Sequence, residues 1–492
     1  MGLLTKVRNF FTGGHERELQ YSYKGIIRYM PLIVAGGFFL VTIFLFAFGP
    51  LEWNPQNPQK LYPFLLGCFA ALVIGYMLAA QKGRTPAQKL NLNVNRYLMM
   101  AVAVALILYF PTVYAGTGKW FPDVYTGIFN TGKAYRIAKY YSEYAPKWIF
   151  YVRMLLAPVI TIIMPITLFY KSRLSKAGFA AGILMIVLNV SLSIAQGVSK
   201  QVADITMQTV LVLCILMFAD NSKESGWKHK LKMALVIVLV CVTFFAYYSN
   251  AMKNRVSADI AIGESGMVDA NSEEELEELE EILDHKNVDD EKLDSAVDGY
   301  STFSVGTVKE NSLWNKLIPG KLKPMVNYLT SYFCHGYHGL SLAMEEEFTS
   351  SYGLGFSEFI RHNALRFFGG AETEKAVYER TYMAKIAENG WVTGSVWSSF
   401  FIFPASDISF AGTVLLVLLI GFLFGLSWKD AVSTGNPFAL VTFMNFCTMI
   451  FYFCANNQIF QTGEPCIGFV GNFILWMVTR TLLFKKEKAL KN

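Results

Sequence analysis

Ten runs of apolar residues divide the chain, each bounded by polar or charged turns: 32–48, 61–80, 98–114, 148–170, 177–195, 205–218, 231–247, 408–426, 437–454 and 467–484. Most approach the ~20 residues a helix needs to cross a hydrocarbon core. They lack the strict alternation of a membrane β-barrel strand, so the pattern predicts helices. The expected fold is an all-α polytopic membrane protein of 10 to 12 transmembrane helices, with one long outer loop between spans seven and eight.

That loop, roughly 249–407, breaks the pattern. It opens on the acidic stretch NSEEELEELEEILDHKNVDDEKLD, where Leu276, Leu279 and Leu283 recur at helical spacing and predict a short amphipathic helix. Nothing in the stretch marks catalysis, and a solvated, dispensable insertion is the plainer expectation. The following KLKPMVNYLTSYFCHGYHGLSLAMEEEFTSSYG is aromatic and rich in small residues, yet too polar for a lipid-facing span. Two half-inserted helices broken at Gly336 and Gly339 fit it, and so does one helix lying on the bilayer. The expected chain order is an N-terminal segment (1–29), spans one to seven (30–248), an acidic outer insertion (249–320), an outer or re-entrant catalytic loop (321–407), spans eight to ten (408–484) and a tail (485–492).

Composition supports the membrane reading: of 492 residues, 53% are hydrophobic and only 16% charged, against about 25% charged in soluble domains. The placement of charge then sets orientation. Lys6, Arg8, Arg17, Lys24 and Arg28 precede the first span. Lys82, Arg84, Lys89 and Arg96 follow the second, and further Lys and Arg fill 171–176, 220–232, 428–436 and the tail. The intervening short loops hold almost none, apart from 116–147, which carries five. The positive-inside rule places both termini in the cytoplasm and 249–407 outside. No cleavable signal peptide is expected. The seven cysteines lie singly, without metal-ligand spacing, so no disulfide framework, metal site or cofactor is called for. A net charge of +6 spread over inner loops fits anionic lipid and gives no argument for nucleic acid.

A charge inside a membrane costs roughly 2.5–3.5 kcal/mol on insertion scales and by default suggests function. Several polar groups fall at the outer level: Arg153 in WIFYVRMLLAPV, Lys200 and Asp204 in SIAQGVSKQVADITMQ, Arg380 in YERTYMAKIAENGW, Asp407 in WSSFFIFPASDISFAG, and Asn456, Asn457 and Gln458 in CANNQIFQTGE. They are expected to share one outward-facing pocket. Each also has a plainer reading. Arg153 and Lys200 could snorkel to headgroups, Asp204 and Asp407 could cap the helices that follow them, and His335 and His338 could pack or hydrogen-bond at the interface. As a set, cations suit a phosphate, which Arg grips bidentately. Carboxylates could accept a proton from an attacking hydroxyl. The aromatic faces of Trp391, Trp397, Tyr332 and Tyr337, with Asn457 and Gln458, suit sugar rings. Together they suit an outer-leaflet enzyme acting on a lipid-linked, pyrophosphate-activated sugar.

The segments RMLLAP (153–158), GVSKQVAD (197–204), YLTSYF and GYHGLSLA (within 328–343), YGLGFS (352–357), GWVTGSVWSSF and ASDISFAG (within 390–412) and NNQIFQTGE (456–464) resemble the oligosaccharide repeat-unit polymerases, the O-antigen polymerase or Wzy-like family. The resemblance runs from about residue 30 to the C-terminus, without the acidic insertion. It implies a GT-C-like, metal-independent glycosyltransferase of the bacterial plasma membrane. Its partners would be a polyprenyl-pyrophosphate-linked donor and acceptor, membrane lipid and a chain-length regulator. The acceptor hydroxyl would attack the donor's anomeric carbon, and the polyprenyl pyrophosphate would leave. By that resemblance Arg153 and Lys200, with Arg380, would bind pyrophosphate and stabilise charge on the leaving group. Asp407 would act as base or orient the acceptor, with Asp204 and Glu346 behind it. Against the family's glycine-threonine-(arginine or asparagine)-lysine pattern this chain has Val198 and Ser199, which leaves Lys200 in register. A ligase of the same architecture stays open, as does a lipid-linked sugar transporter. A transporter should show internal repeats and matching broken helices, and none is visible. A purely structural export component would not need Arg153 and Lys200 at one level.

Overall fold

The computed structural model describes residues 22–144, 147–219, 227–265, 272–284, 306–309, 311–393 and 397–491. The leader cations Lys6, Arg8 and Arg17, much of the basic loop at 220–226 and the insertion's distal part at 285–305 lie outside the described residues.

Among the described residues, eight helices are long and apolar enough to cross a membrane: Pro58–Lys82, Val94–Thr117, Trp148–Phe169, Lys176–Ala195, Ser199–Phe218, Trp227–Ile262, Ile402–Thr434 and Gly463–Ala489. Two shorter apolar helices, Leu32–Phe48 and Pro437–Phe451, take up the first and ninth runs. The protein is therefore an all-α, multi-pass membrane protein. Polar residues flanking the runs close the helix ends. Asn57 accepts from the Lys60 N–H ahead of Pro58, Asn93 from Arg96, Ser175 from Gly178, and Asn436 from Phe438 and Ala439 ahead of Pro437. Trp148–Phe169 breaks at residues 161–162, where Pro165 lacks the N–H that would close onto Thr161.

The chain folds as two compact units: Leu90–Tyr300, and Ser22–Lys89 together with Ser301–Asn492. The first two spans thus join the last three in the second unit, while the third to seventh belong to the first. The reason is steric. In the second unit Pro58–Lys82 and Ile402–Thr434 touch backbone to backbone. A Cβ at Gly75 would lie 2.0 Å from the Leu418 carbonyl oxygen, and one at Gly421 would lie 2.4 Å from that of Leu72. Small residues drive this kind of approach between membrane helices. Phe39, Phe401 and Phe453 interlock at centroid separations of 5.1 to 5.8 Å. A two-residue antiparallel bridge pairs Leu51 with Val308.

Helix Lys323–Ala343 of the second unit is continuous, so the expected break at Gly336 and Gly339 is absent. These glycines serve close packing instead: a Cβ at Gly336 would lie 2.3 Å from the Cys454 carbonyl oxygen.

In the first unit, helix Trp227–Ser265 runs on well past the expected boundary at 248. Against it packs the acidic helix Glu273–Asp284, whose Leu276, Leu279 and Leu283 are buried, the last two in one cluster with Ala258, Ala261 and Ile262. Lys133 pairs with Glu280 at 3.0 Å and Asp284 at 2.7 Å, and Asn130 donates to the Leu283 carbonyl at 3.1 Å. Burial works to lower the Lys133 pKa, but its bonds to Asp284 and Glu280 outweigh that and raise it. This part of the insertion is thus a docked element, not a solvated appendage. The apolar spacing was legible, but its docking partner was not.

Candidate functional site

The second unit holds most of the expected polar groups. After Ala343 the chain enters a loop that neighbouring side chains pin along its length. Asn389 Nδ2 donates to Glu346 Oε1 at 2.6 Å. Lys385 Nζ donates to the Glu347 carbonyl and to Thr349 Oγ1. Arg380 Nε donates to the Ser350 carbonyl at 2.7 Å, with its guanidinium 4.5 Å from the Tyr352 ring centre.

Asp407 fastens the rest. Its Oδ1 accepts from Ser351 Oγ at 2.6 Å and from the N–H groups of Gly353 and Gly355 at 2.9 and 3.1 Å. Its Oδ2 accepts from the Phe356 N–H at 2.8 Å. The loop can aim three N–H groups at one carboxylate because Tyr352 and Gly353 are left-handed, with φ of 60° and 81°; such turns form anion-binding nests. The helix carrying Asp407 breaks just beyond it at Ser409 (φ 65°, ψ 170°), where Thr413 Oγ1 donates to the Ser409 carbonyl at 2.9 Å. Asp407 therefore does not cap the span. With both oxygens engaged, its geometry suits positioning the 350–356 loop more than accepting a proton. Among the described residues four non-glycine positions have positive φ; three of them, Tyr352, Ser399 and Ser409, belong to this region. Such strain concentrates at functional sites.

Downstream, Ser357 caps helix Glu358–Phe368. One turn in, Arg361 is only 6% exposed. Its guanidinium lies 4.9 Å from the Tyr378 ring centre, and its Nε is buried without a hydrogen-bond partner. Among the described residues no carboxylate pairs with it. Sequence reasoning passed over Arg361. The available signal was its place one turn before Leu365, on the face where an amphipathic helix carries apolar residues. Arg380 follows Tyr378 by two residues. Asn457, fully buried, donates from Nδ2 to the Phe356 carbonyl at 2.6 Å and leaves Oδ1 unpartnered. Gln458 is buried beside it.

The expected sugar platform divides. Tyr337 is fully buried, its hydroxyl 2.8 Å from Thr42 Oγ1. Trp391 is buried, donates to Ser398 Oγ at 2.8 Å and stacks on His338. Neither ring has a free face, so the glycan-binding expectation is corrected for both. Trp397 and Tyr332 are half-buried and in contact at 4.4 Å, leaving part of each ring accessible. His335 supports them: Nδ1 donates to the Ser331 carbonyl at 2.8 Å, and Nε2 accepts from the Trp397 N–H at 3.0 Å. This is the neutral tautomer, and burial lowers the His335 pKa to about 4.

Comparison with known proteins returns no match: no family model, no curated protein and no solved structure is significantly similar to the chain.

The first unit holds Arg153, Lys200 and Asp204, all half-buried. Arg153 Nη1 lies 3.4 Å from Thr112 Oγ1. Helix Ser199–Ala219 begins at the turn, so Asp204 sits in its second turn and does not cap it. The turn itself depends on Gly197 (φ 62°), where a Cβ would meet the Thr131 carbonyl oxygen at 2.6 Å. Arg255 donates to the Gly197 carbonyl and lies 4.8 Å from the Tyr135 ring centre. It thus adds a cation beside the turn that carries Lys200, one that no local sequence pattern marks.

Proposed function

We propose that the protein is a glycosyltransferase that polymerises polyprenyl-pyrophosphate-linked oligosaccharide units on the outer leaflet of the plasma membrane. The observation that carries the reading is Arg361. A buried guanidinium without a counter-charge is costly unless an anion arrives to meet it. Arg380, two residues beyond the Tyr378 ring that Arg361 lies over, supplies a second guanidinium. Its Nε is fixed, while its terminal nitrogens make no hydrogen bond among the described residues. Two guanidiniums match the charge and fork geometry of a diphosphate, and they stabilise it best as it departs. In the reaction a bond forms between the acceptor's hydroxyl oxygen and the donor's anomeric carbon. The bond from that carbon to the pyrophosphate breaks, and the hydroxyl proton passes to solvent or a neighbouring carboxylate such as Glu346. The loop fastened by Asp407 would orient the acceptor, and Trp397 with Tyr332 would face a sugar ring. In the first unit Lys200 and Arg153 are further candidates for phosphate contact, since the reaction uses two lipid-linked substrates.

The test is to delete the gene in its host and run surface glycan beside the extracted polyprenyl-linked pool. A lost ladder with single repeats accumulating on the outward-facing carrier is the expected result, and Arg361→Ala should reproduce it. Long polymer stranded on the carrier would replace this reading with a ligase. Single repeats trapped on the cytoplasmic leaflet would replace it with a flippase.

A further inference from the structure

The second unit carries a cavity of about 520 Å³ lined by Arg84, Arg480, Phe484, Glu487 and Lys488, which the proposed reaction does not use. It lies at the ends of the membrane helices Pro58–Lys82 and Gly463–Ala489. Arg84 and Arg480 approach the same Phe484 ring, at 5.2 and 4.9 Å from its centre. Arg480 is held rigidly, with Nε donating to buried Asp430 Oδ2 at 2.8 Å and Nη2 to the Arg84 carbonyl. The Arg84 side chain is 76% exposed. Three cations line the cavity against one carboxylate. That carboxylate, Glu487, lies 3.9 Å from Arg84 Nη2, and its other oxygen accepts from the Ala87 N–H at 3.3 Å. Even with Asp430 behind Arg480, cations outnumber acids by three to two.

Two guanidiniums sharing one ring repel each other, and a divalent or monovalent oxyanion between them relieves that repulsion. The position names the source of the oxyanion. At the end of a membrane span, phosphates are presented by lipid headgroups, with glycerol and acyl carbons directly behind them. Basic pockets between membrane helices bind anionic headgroups in this way. We infer that this cavity binds the phosphate of an anionic glycerophospholipid, with Arg84, Arg480 and Lys488 on the phosphate and Phe484 against the glycerol–acyl junction. Glu487 is a built-in competitor for Arg84, which sets the affinity low enough for exchange.

The experiment uses the purified full chain in neutral detergent. It compares binding of phosphatidylglycerol, phosphatidylcholine and inorganic phosphate by native mass spectrometry, with thermal shift as a second readout. Arg480 is left intact because it also neutralises Asp430; the variants are Arg84→Ala combined with Lys488→Ala, and Glu487→Gln. The expected result is retention of phosphatidylglycerol over phosphatidylcholine, tenfold weaker in the double variant and about threefold tighter in Glu487→Gln. Equal binding in the double variant and the parent chain would overturn the site. Equal retention of the two lipids, or protection by inorganic phosphate matching that by phosphatidylglycerol, would overturn the lipid assignment. None of these outcomes depends on glycosyl transfer.

Discussion

Helix Ile402–Thr434 carries one carboxylate near each end, and the two are satisfied in opposite ways. Asp407 accepts from three backbone N–H groups and one hydroxyl, all from a single loop. Asp430, 1% exposed, receives Trp476 Nε1 at 2.9 Å and Arg480 Nε at 2.8 Å, both side chains of one neighbouring helix. From the kink at Ser409 to Asp430 is 21 residues, about 32 Å of helix, close to the thickness of a bilayer's hydrocarbon core. The acids therefore stand at opposite faces of one span. A side-chain clamp locks two helices together. A backbone clamp fixes the shape of a loop and leaves its side chains free for a ligand. The difference separates an end built for rigidity from an end built to present groups.

The strongest way to break the comparison is at the locked end. Asp430→Ala takes the acceptor from fully buried Trp476 Nε1 and the counter-charge from half-buried Arg480, which together cost about 3–5 kcal/mol. Thermal unfolding in detergent should drop accordingly, and an unchanged midpoint would remove the lock. Acid should loosen the other end next. The folded His335 pKa of about 4 lies below the usual value near 6.5, so the unfolded chain binds more protons between those values. Stability is then full above about pH 6.5 and falls by about 3 kcal/mol as pH drops to 4. Unfolding midpoints measured across that window should show the slope, and His335→Gln should flatten it.

Asp407→Ala removes four acceptor contacts, yet its cost should be smaller, about 1–3 kcal/mol, and confined to the loop. Hydrogen exchange should quicken at residues 351–356 and nowhere else, together with loss of polymer. Unchanged exchange with lost polymer would return Asp407 to the role of base. The smallest stability effect should come from Arg361→Met. Removing a buried, unpaired charge should leave the unfolding midpoint level or raise it by about 1 kcal/mol, while polymer disappears. A fall comparable to that of Asp430→Ala would make Arg361 structural.

How much of this was legible follows from how local each signal is. The ten apolar runs came through as helices, eight of them long enough to cross a membrane, because apolar length is a property of contiguous residues. The two-unit division was not legible, because glycines at 75 and 421 carry no mark of each other until the helices meet. The polar clusters were flagged residue by residue, but burial decided their use, and burial is set by distant segments. Thus Tyr337 and Trp391 read as sugar-facing aromatics and turned out packed inside. Arg361, inside an ordinary-looking SEFIRHNAL, became conspicuous only when Tyr378 was seen to cover it.

The glycine contacts also bear on traffic through the membrane. With the Gly75 and Gly421 backbones against their neighbours' carbonyls, no acyl or prenyl tail can slide between Pro58–Lys82 and Ile402–Thr434. A lipid-tethered molecule arriving sideways from the bilayer needs a portal elsewhere on the protein's perimeter. The seam is a closed wall, and any lateral gate lies along a different pair of helices.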